Sequence, residues 1–414
     1  MSSLFPERSA MRDRILTSGR GLLWAMAALP VVPALAAEVF YQPIVSLQAE
    51  ADSNLDLDPG VKQWVEGYIA DAATLIGIAT ANTDTVIKPR IIYRYYPQAS
   101  ADDRLEAHLD FNTDYRSQRS SATLSGSIQH LDEFNAEQTS ATYNDVNPGL
   151  PVGTDTGKIT NGATRDSAYL APKYLYNITP VIGVGATGQF QVVTYSPSDQ
   201  NHNNYDYYQA RAYMRWAFTQ SSDAQLGGFG SKFDSTHLGN SSTGGGATLD
   251  LNTSWTPLLS TKVSLLYQHT SISDVTPAPL NISVNAWGAT VGTIYKTQLD
   301  QFRLDVGRTI SPSGSGGLYN VDRVQFQDDR NLTTRLSITG ALVGLKTHAL
   351  TANIAGDDRK YAQAIVEMRW MMTRYWFVQG GYQYAFQKYQ YDVDSAADNR
   401  VYVQFGYQGL ARER

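Results

Sequence analysis

Apolar and polar side chains alternate at every second position along most of the chain, and this feature most constrains the fold. Between residues 376 and 386, Trp376, Val378 and Tyr382 share one parity, whereas the glutamines lie on the other. An extended strand sends successive side chains to opposite faces, so the pattern predicts a strand with one apolar and one polar face. The same alternation recurs over 105–112, 122–129, 208–218 and 401–408. The sequence therefore predicts a large all-β protein.

Composition narrows the class of β protein. No cysteine occurs, which excludes disulfide scaffolds and thiolate metal sites. The formal net charge of -6 argues against a nucleic-acid partner, which would favour a basic protein. Mean hydropathy is -0.31, which argues against a bundle of membrane helices. The 26 tyrosines and 33 glycines, without an excess of apolar residues, favour strands of alternating polarity.

The first 36 residues have the features of an export signal. Arg12, Arg14 and Arg20 form a basic region, and an apolar run follows over 22–32. Ala34-Leu35-Ala36 fits a cleavage site for signal peptidase. We therefore expect a signal peptide over 1–36, cleaved between Ala36 and Ala37, and a single exported domain over 37–414.

The spacing of the alternating segments predicts about 18 strands, with 16 as the alternative because 52–90 is irregular. Short connections such as Thr179-Pro180 and Asp329-Arg330 alternate with long polar ones. The strand that follows Asp329-Arg330 is predicted over 331–348. Short turns at one end and long loops at the other are typical of bacterial barrels, whose turns lie in the periplasm. The sequence thus predicts a transmembrane antiparallel β-barrel located in the cell outer membrane.

The parity of the strands also predicts which polar side chains point into the lumen. The candidates for lining the lumen are Arg90, Arg94, Glu106, Asp110, Gln189, Gln191, Arg211, Arg215, Asp250, Arg303, Asp305, Glu367 and Arg369. One interpretation is structural, with opposite charges on neighbouring strands satisfying each other. The other is a charged path for a hydrophilic solute, because rings of charge set the selectivity of pores.

Arg211 and Arg215 stand apart among these candidates because the preceding strand offers them no acid. Gln189 and Gln191 take the inward positions on that strand. The two arginines are therefore the candidates for contacts to an acidic sugar or another anion.

Catalytic and cofactor motifs are missing from the sequence. The six histidines form no H-E-x-x-H pair, and no G-x-S-x-G elbow occurs. The run from Gly183 to Gly188 matches G-x-G-x-x-G, but period-2 alternation continues through Phe190 and Val192, so no helix follows to bind a phosphate. We therefore predict no enzyme activity, no catalytic residue, no cofactor and no metal.

The longest predicted connection is 132–165, which contains more acidic than basic side chains and two proline-glycine breaks. Loops of this length are usually functional or disordered. Two interpretations carry equal weight at this point: the loop folds inward as a constriction or lid, or it remains a mobile surface loop.

Four places in the chain resemble the EpsL-like outer-membrane β-barrel proteins associated with exopolysaccharide operons. They are residues 43–47 with 52–54, residues 311–316 with Val321-Asp322-Arg323, Arg374-Tyr375-Trp376 with 381–384, and 395–396 with 399–402. The resemblance implies an 18-stranded barrel that exports polysaccharide across the outer membrane. It supplies no catalytic residues.

Together the pattern and the resemblance predict a channel that exports a hydrophilic polymer, an exopolysaccharide, and does no chemistry. The expected partners are outer-membrane lipids, the polysaccharide or another hydrophilic solute, and a periplasmic polysaccharide-export protein. No nucleic-acid partner is expected. The alternatives are a diffusion porin for small hydrophilic solutes and a plugged barrel with a structural or adhesive role.

Overall fold

The computed structural model describes residues 37–60, 63–99, 104–132, 136–144, 146, 163–198, 202–236, 239–274, 280–350, 358–390, 394–410 and 412–413. The chain divides into two compact units, Met1–Ala37 and Glu38–Arg414, and the second contains all the strands given below. The predicted signal peptide and the residue Ala36 lie outside the described part. Within that part, no helix is both long and apolar enough to cross a bilayer.

The second unit is a closed antiparallel barrel of 18 strands. The strands are Glu38–Asp52 (β1), Val65–Ala79 (β2), Thr83–Tyr95 (β3), Arg104–Arg116 (β4), Ser120–Asp132 (β5), Thr164–Asn177 (β6), Ile182–Ser196 (β7), Tyr205–Ala217 (β8), Ser222–Ser235 (β9), Ser241–Ser254 (β10), Leu259–Asp274 (β11), Leu280–Lys296 (β12), Asp300–Ser313 (β13), Gly317–Asn331 (β14), Leu336–Ala349 (β15), Arg359–Met371 (β16), Trp376–Tyr389 (β17) and Ala396–Gln408 (β18). Each strand pairs with the next one in sequence. The predicted fold class and strand number are confirmed.

The barrel closes because the first strand pairs with the last. β1 and β18 are opposed over nine residue pairs, from Ile44 and Gln408 to Asp52 and Arg400. A two-residue strand, Arg412–Glu413 (β19), continues this pairing along the beginning of β1, opposite Tyr41 and Phe40. With every strand paired on both sides, the backbone hydrogen bonds of the barrel are satisfied without an open edge.

Side-chain exposure identifies the barrel as a membrane-spanning one. On β4, Leu105 is 60% exposed while its neighbour Glu106 is 1% exposed. Val403 on β18 and Met214 on β8 likewise point outward, and this apolar outer surface continues around the strands. A water-soluble protein buries such side chains, whereas a barrel in lipid presents them to the hydrocarbon. The described chain is therefore a transmembrane β-barrel of the outer-membrane type.

Tryptophans mark the end of the barrel where the connections are short. Trp216, Trp255, Trp370 and Trp376 lie beside these turns, and each is more than 40% exposed. Tryptophan prefers the headgroup level of a bilayer, where its apolar ring and its N–H group are both satisfied. This end is the periplasmic one, because outer-membrane barrels have short turns on that side.

One predicted turn is wrong. β14 continues through Asp329 and Arg330 to Asn331, so the turn is 332–335 and β15 begins five residues later than predicted. Both charged residues are held within the sheet, since Thr339 donates to Asp329 at 2.8 Å and Arg330 lies 3.3 Å from Asp300. Cross-strand partners thus keep Asp329 and Arg330 in an extended strand, although this polar pair favours a turn when the sequence is considered alone.

Candidate functional site: the charged lumen

The lumen contains a cavity of 1610 Å³ whose walls come from strands all around the barrel. At the periplasmic end it reaches residues 220–223, beside the turn between β8 and β9. At the other end it reaches Ser311 and Pro312, near the tip of the β13–β14 hairpin. The cavity therefore follows the long dimension of the barrel.

Part of the long connection between β5 and β6 lies inside the lumen. The backbone N–H of Ala141 donates to Gln363 on β16 at 2.7 Å, and Gln325 on β14 donates to the Ala141 carbonyl at 2.9 Å. On the other side, Asn144 donates to Asp110 on β4 at 3.2 Å. Residues 136–144, here called the inward segment, thus bridge two separated parts of the wall. Of the two interpretations for 132–165, inward folding is correct for this described portion.

An apolar surface on the inner wall explains why the inward segment lies there. A buried cluster combines side chains of β15–β18 with one residue from each of two loops: Leu57, Ala141, Ala341, Val343, Leu345, Tyr361, Ile365, Ala385 and Ala396. Leu57 and Ala141 are at most 2% exposed. Apolar side chains that face a water-filled lumen are stabilised when other apolar groups bury them. The loops that fold inward pack on this wall for that reason.

Tyr143 connects the inward segment to the charges of the lumen. Its hydroxyl donates to Asp305 on β13 at 2.5 Å, and the Arg303 guanidinium carbon lies 3.7 Å from the centre of its ring. Burial and this carboxylate raise the pKa of Tyr143, so its hydroxyl stays protonated as the donor. A cation over an aromatic face adds a further attraction. Beside the inward segment, the lumen is therefore lined by an aromatic ring, a cation and an acid that contact one another.

The β13–β14 hairpin approaches the lumen mouth from another direction. Its Gly314 carbonyl accepts from the backbone N–H of Asn203 at 2.6 Å, and its Gly316 carbonyl accepts from Asn240 at 3.3 Å. A Cβ atom at Gly314 would lie 2.7 Å from the ring of Tyr195, so only glycine permits this close contact. The hairpin tip thus reaches the β7–β10 side of the barrel and narrows the end opposite the periplasm.

Most of the predicted lumen residues border the cavity. Nine do so: Arg90, Asp110, Gln189, Gln191, Arg215, Arg303, Asp305, Glu367 and Arg369. Arg90 pairs with Asp71 on β2 at 2.8 Å rather than with an acid on β4. Gln191 donates to Tyr205 at 3.0 Å, and Arg369 lies over the ring of Phe377.

The other four predicted residues form two buried pairs that do not border the cavity. Arg94 lies 3.4 Å from Glu106, as the cross-strand prediction indicated, and Arg211 lies 2.5 Å from Asp250. Arg215 is also near an acid, Asp223, at 3.6 Å. The acids facing the two arginines come from β10 and β9, whereas the inward side chains of β7 include the glutamines Gln189 and Gln191. Arg211 and Arg215 therefore have anionic partners within the protein.

The charges around the cavity differ in balance from those of the whole chain. Arg308 borders it by its backbone, because its guanidinium lies over Trp287 on the outer surface. Without Arg308, the described residues around the cavity contribute eight basic and six acidic side chains: Lys88, Arg90, Arg165, Arg215, Lys262, Arg303, Arg323 and Arg369 against Asp71, Asp110, Asp223, Asp305, Asp329 and Glu367. The lining thus has an excess of positive charge in a chain whose formal charge is -6.

Sequence reasoning missed several lining residues. Arg323 shares its parity with Gln325 and Gln327, so the alternation on β14 identifies it once that strand is correctly bounded. Asp71 lies in the stretch that appeared irregular in sequence. Tyr143 belongs to the inward segment, and Arg165 on β6 donates to the Ala136 carbonyl of that segment at 3.5 Å. The position of the segment depends on contacts distant in sequence. Among the described residues, no group of three or more His, Cys, Asp or Glu side chains is arranged to hold a metal ion.

Comparison with known proteins gives only loose similarities. No protein-family model matches the chain, and no curated protein matches it. Solved structures that resemble it include Pseudomonas aeruginosa OccK2 (OpdF) in complex with glucuronate, at 9% identity and a TM-score of 0.42, covering 90% of this chain and 98% of that one. Acinetobacter baumannii OccAB4 has 10% identity and a TM-score of 0.41, covering 91% and 100%. The P. aeruginosa outer-membrane protein OpdK has 11% identity and a TM-score of 0.39, covering 89% and 99%.

Similarities at this level assign neither a substrate nor a family to the chain. The predicted resemblance to EpsL-like proteins gains no support from these comparisons and stays a prediction. The geometry of the barrel itself is therefore the basis for assigning a function.

Proposed function

We propose that the barrel is an outer-membrane diffusion channel for small hydrophilic solutes, with a preference for anions. The single observation that carries the proposal is the excess of basic side chains around the cavity, in a chain that is acidic as a whole. Basic groups in a narrow, low-dielectric passage raise the local concentration of anions. Arg303 and Arg323 would place this effect beside the inward segment.

The size of the cavity supports small solutes. Distributed over an apolar band of ~25 Å, a volume of 1610 Å³ corresponds to a mean cross-section of ~60 Å². This area is sufficient for a single sugar ring or a small carboxylate with part of its hydration shell. The polar lining, with Gln189, Gln191 and Gln379, offers weak hydrogen bonds that a passing solute can exchange for those of water.

Export of a polymer, the function implied by the EpsL-like resemblance, places a different demand on the lumen. A polysaccharide occupies the passage continuously, so every unit has to pass the inward segment. That segment is hydrogen-bonded to Asp110 on one wall and to Gln325 and Gln363 on another. A small solute passes these contacts once and leaves the lumen, whereas a polymer would keep the space beside them filled, and this favours the diffusion alternative over export.

The first test is electrical and uses the purified full chain in a planar lipid bilayer. A salt gradient should give a reversal potential that reports anion preference. Liposome swelling with glucuronate and with neutral glucose compares solutes that share a ring and differ by a carboxylate, and glucuronate should enter faster. A silent barrel would support the plugged alternative. Passage of a long polysaccharide but not of glucose would return the assignment to export.

The second test changes the lumen charges. Replacing Arg303 and Arg323 with glutamine should shift the reversal potential towards cations, because it removes two of the eight basic side chains around the cavity. Arg330→Gln is the matched control, since this arginine is half exposed on the outer face and pairs with Asp300. Equal shifts in the control and in the double variant would overturn the role of the lumen arginines.

The third test concerns Arg211 and Arg215, the two arginines that the sequence indicates as candidates for contacts to an anion. Replacing Arg211 and Arg215 with glutamine removes two positive charges and leaves Asp250 and Asp223 without these partners, so selectivity should move towards cations. Unchanged selectivity would make the two arginines purely structural.

A further inference from the structure

Three lysines form a row across adjacent strands on the outer surface of the barrel. In the β15–β16 register Lys346 is directly opposite Lys360, and in the β16–β17 register Lys360 is directly opposite Lys388. The row continues through Asp322 on β14 to Arg308 on β13, which are also directly opposed. Five neighbouring strands thus place four basic residues and one acid on a single line.

The row lies where the apolar outer surface ends. All three lysines are exposed, and they lie within three residues of the strand ends at the long-loop side. Two residues towards the membrane, the outward positions are Val324, Gly344, Ala362 and Phe386, and further on they include Leu342. Ammonium groups at this position lie at the level of lipid headgroups in the outer leaflet, because long loops are extracellular in these barrels.

None of the three lysines forms an ion pair with an acid of the described residues, although Asp322 lies directly opposite Lys346. Asp322 forms an ion pair with Arg308, whose guanidinium lies 2.6 Å from the carboxylate. Asp358 is bonded to His348 at 2.5 Å. Like charges directly opposed on neighbouring strands repel each other and destabilise the sheet. The arrangement therefore favours an external anion that contacts all three ammonium groups.

Two other outward basic groups at this end of the barrel are paired with acids within the protein. Lys232 on β9 is 2.6 Å from Asp234, and His130 on β5 is 2.6 Å from Asp166. The contrast is informative because the same headgroup level surrounds the whole barrel. The row on β15–β17 differs from these two places, because none of its three lysines forms an ion pair in the described part of the chain.

We propose that the row Lys346, Lys360 and Lys388 binds the phosphate groups of an anionic lipid in the outer leaflet. Phosphate offers several acceptor oxygens to cationic donors, and the acyl chains of the lipid would lie on the apolar surface directly below the row. The lipid thereby neutralises the repulsion between the lysines and fixes this wall in the membrane. The site is independent of what passes through the lumen.

The test measures lipid binding to the full chain, folded in an uncharged detergent. Bis-phosphorylated lipid A is titrated while the thermal unfolding midpoint is recorded, and the same lipid without phosphates, and inorganic phosphate, serve as comparison ligands. Each single Lys→Gln variant should weaken the apparent affinity about fivefold, since each basic side chain near an anionic surface contributes a factor of that order. The triple variant should lose nearly all of the shift.

Lys232→Gln is the matched control, because this lysine is equally outward but already paired with Asp234. The proposal requires that it respond like the unmodified protein. A triple variant that retains the full shift would overturn the site, and so would an equal shift from the lipid lacking phosphates. An equal shift from inorganic phosphate would overturn the lipid as its source. Heat-modified gel mobility checks that each variant is folded, and the single variants keep the test valid if the triple variant does not assemble.

Discussion

At the long-loop end of β15–β17, the inner and outer surfaces reverse the usual arrangement of a barrel. Inside, Val343, Leu345 and Tyr361 are at most 5% exposed beneath the loops that fold inward. Outside, Lys346 and Lys360 are exposed at the same end of the wall. Barrels generally place polar residues in the lumen and apolar residues towards lipid. The comparison teaches that each surface follows its immediate surroundings, whether loop, headgroup or hydrocarbon, rather than its side of the barrel.

The largest loss of stability is expected when a charge is placed in the middle of the outer, lipid-facing surface. Leu342→Arg places a cation on an outward side chain that is 53% exposed, where arginine in the hydrocarbon costs about 2–4 kcal/mol. The variant should assemble poorly and unfold at lower urea concentration. Gln379→Arg, which borders the lumen cavity, is the control and should assemble normally. Equal stability of the two variants would show that the facing of this wall is wrongly assigned.

The next effect concerns the inner surface. Ala141→Asp buries a carboxylate at a position that is fully enclosed, which costs several kcal/mol. The hydrogen bonds to Gln325 and Gln363 contribute only about 1 kcal/mol each. The inward segment should leave the wall and the conductance of a single channel should rise, while the barrel remains folded.

Thr142→Asp controls for the added charge, because Thr142 is half buried, borders the cavity and lies next to Ala141. It should move selectivity towards cations without detaching the inward segment. Its conductance should stay close to that of the unmodified protein. If Ala141→Asp leaves the conductance unchanged, the segment does not limit the passage of ions.

A smaller effect is expected when only one contact of the inward segment is removed. Tyr143→Phe deletes the hydrogen bond to Asp305, and bonds to charged groups contribute about 1.5–3 kcal/mol. Arg303 remains over the ring, so the segment should stay in place on average but leave more often. More frequent current steps in single-channel recordings would show this, and an unchanged frequency would assign the positioning to the backbone bonds.

The smallest effect is expected at the outer lysines in the absence of anionic lipid. In an uncharged detergent Lys360→Gln should be neutral or stabilising by about 0.2–1 kcal/mol, since it removes repulsion from two neighbours. Lys388→Gln removes one such neighbour pair and should gain less. Salt should reduce both gains, because it screens exposed charges. A loss of stability in both variants would contradict repulsion along the row.

The strands and their facing were predictable because period-2 alternation is a local property. Leu105 and Glu106, or Val403 and Gln404, reveal their faces from neighbours in sequence alone. The boundary of β15 was not predictable in the same way, because Asp329 and Arg330 are kept in β14 by Thr339 and Asp300 on adjacent strands. A sequence pattern cannot show that a charged pair has acquired such partners.

The lumen was predictable as a set of residues but not as an arrangement. The alternation placed Arg303 and Asp305 inward, yet their neighbour Tyr143 arrives from a connection about 160 residues earlier in the sequence. Contacts of this kind depend on the apolar inner surface of β15–β17. In the sequence, β15 has apolar side chains on both faces, and this pattern does not show which loop will cover the inner one. The acidic partners of Arg211 and Arg215 lie on β10 and β9 rather than on the preceding strand β7. The sequence does not show that the Arg211 side chain reaches across two strands.

The seam between β1 and β18 has a consequence for how the barrel forms. Every other neighbouring pair of barrel strands is joined by a connection within the chain, whereas Asp52 and Arg400 meet across almost the full sequence and are buried together 2.9 Å apart. Bringing such distant residues together carries the largest loop-closure entropy of any strand pairing in the molecule. Ring closure is therefore the step with the highest contact order, and it completes assembly only after the C-terminal strand is available. Until then the growing sheet has two open edges, so a chain that lacks β18 would be prone to pair with other copies rather than close.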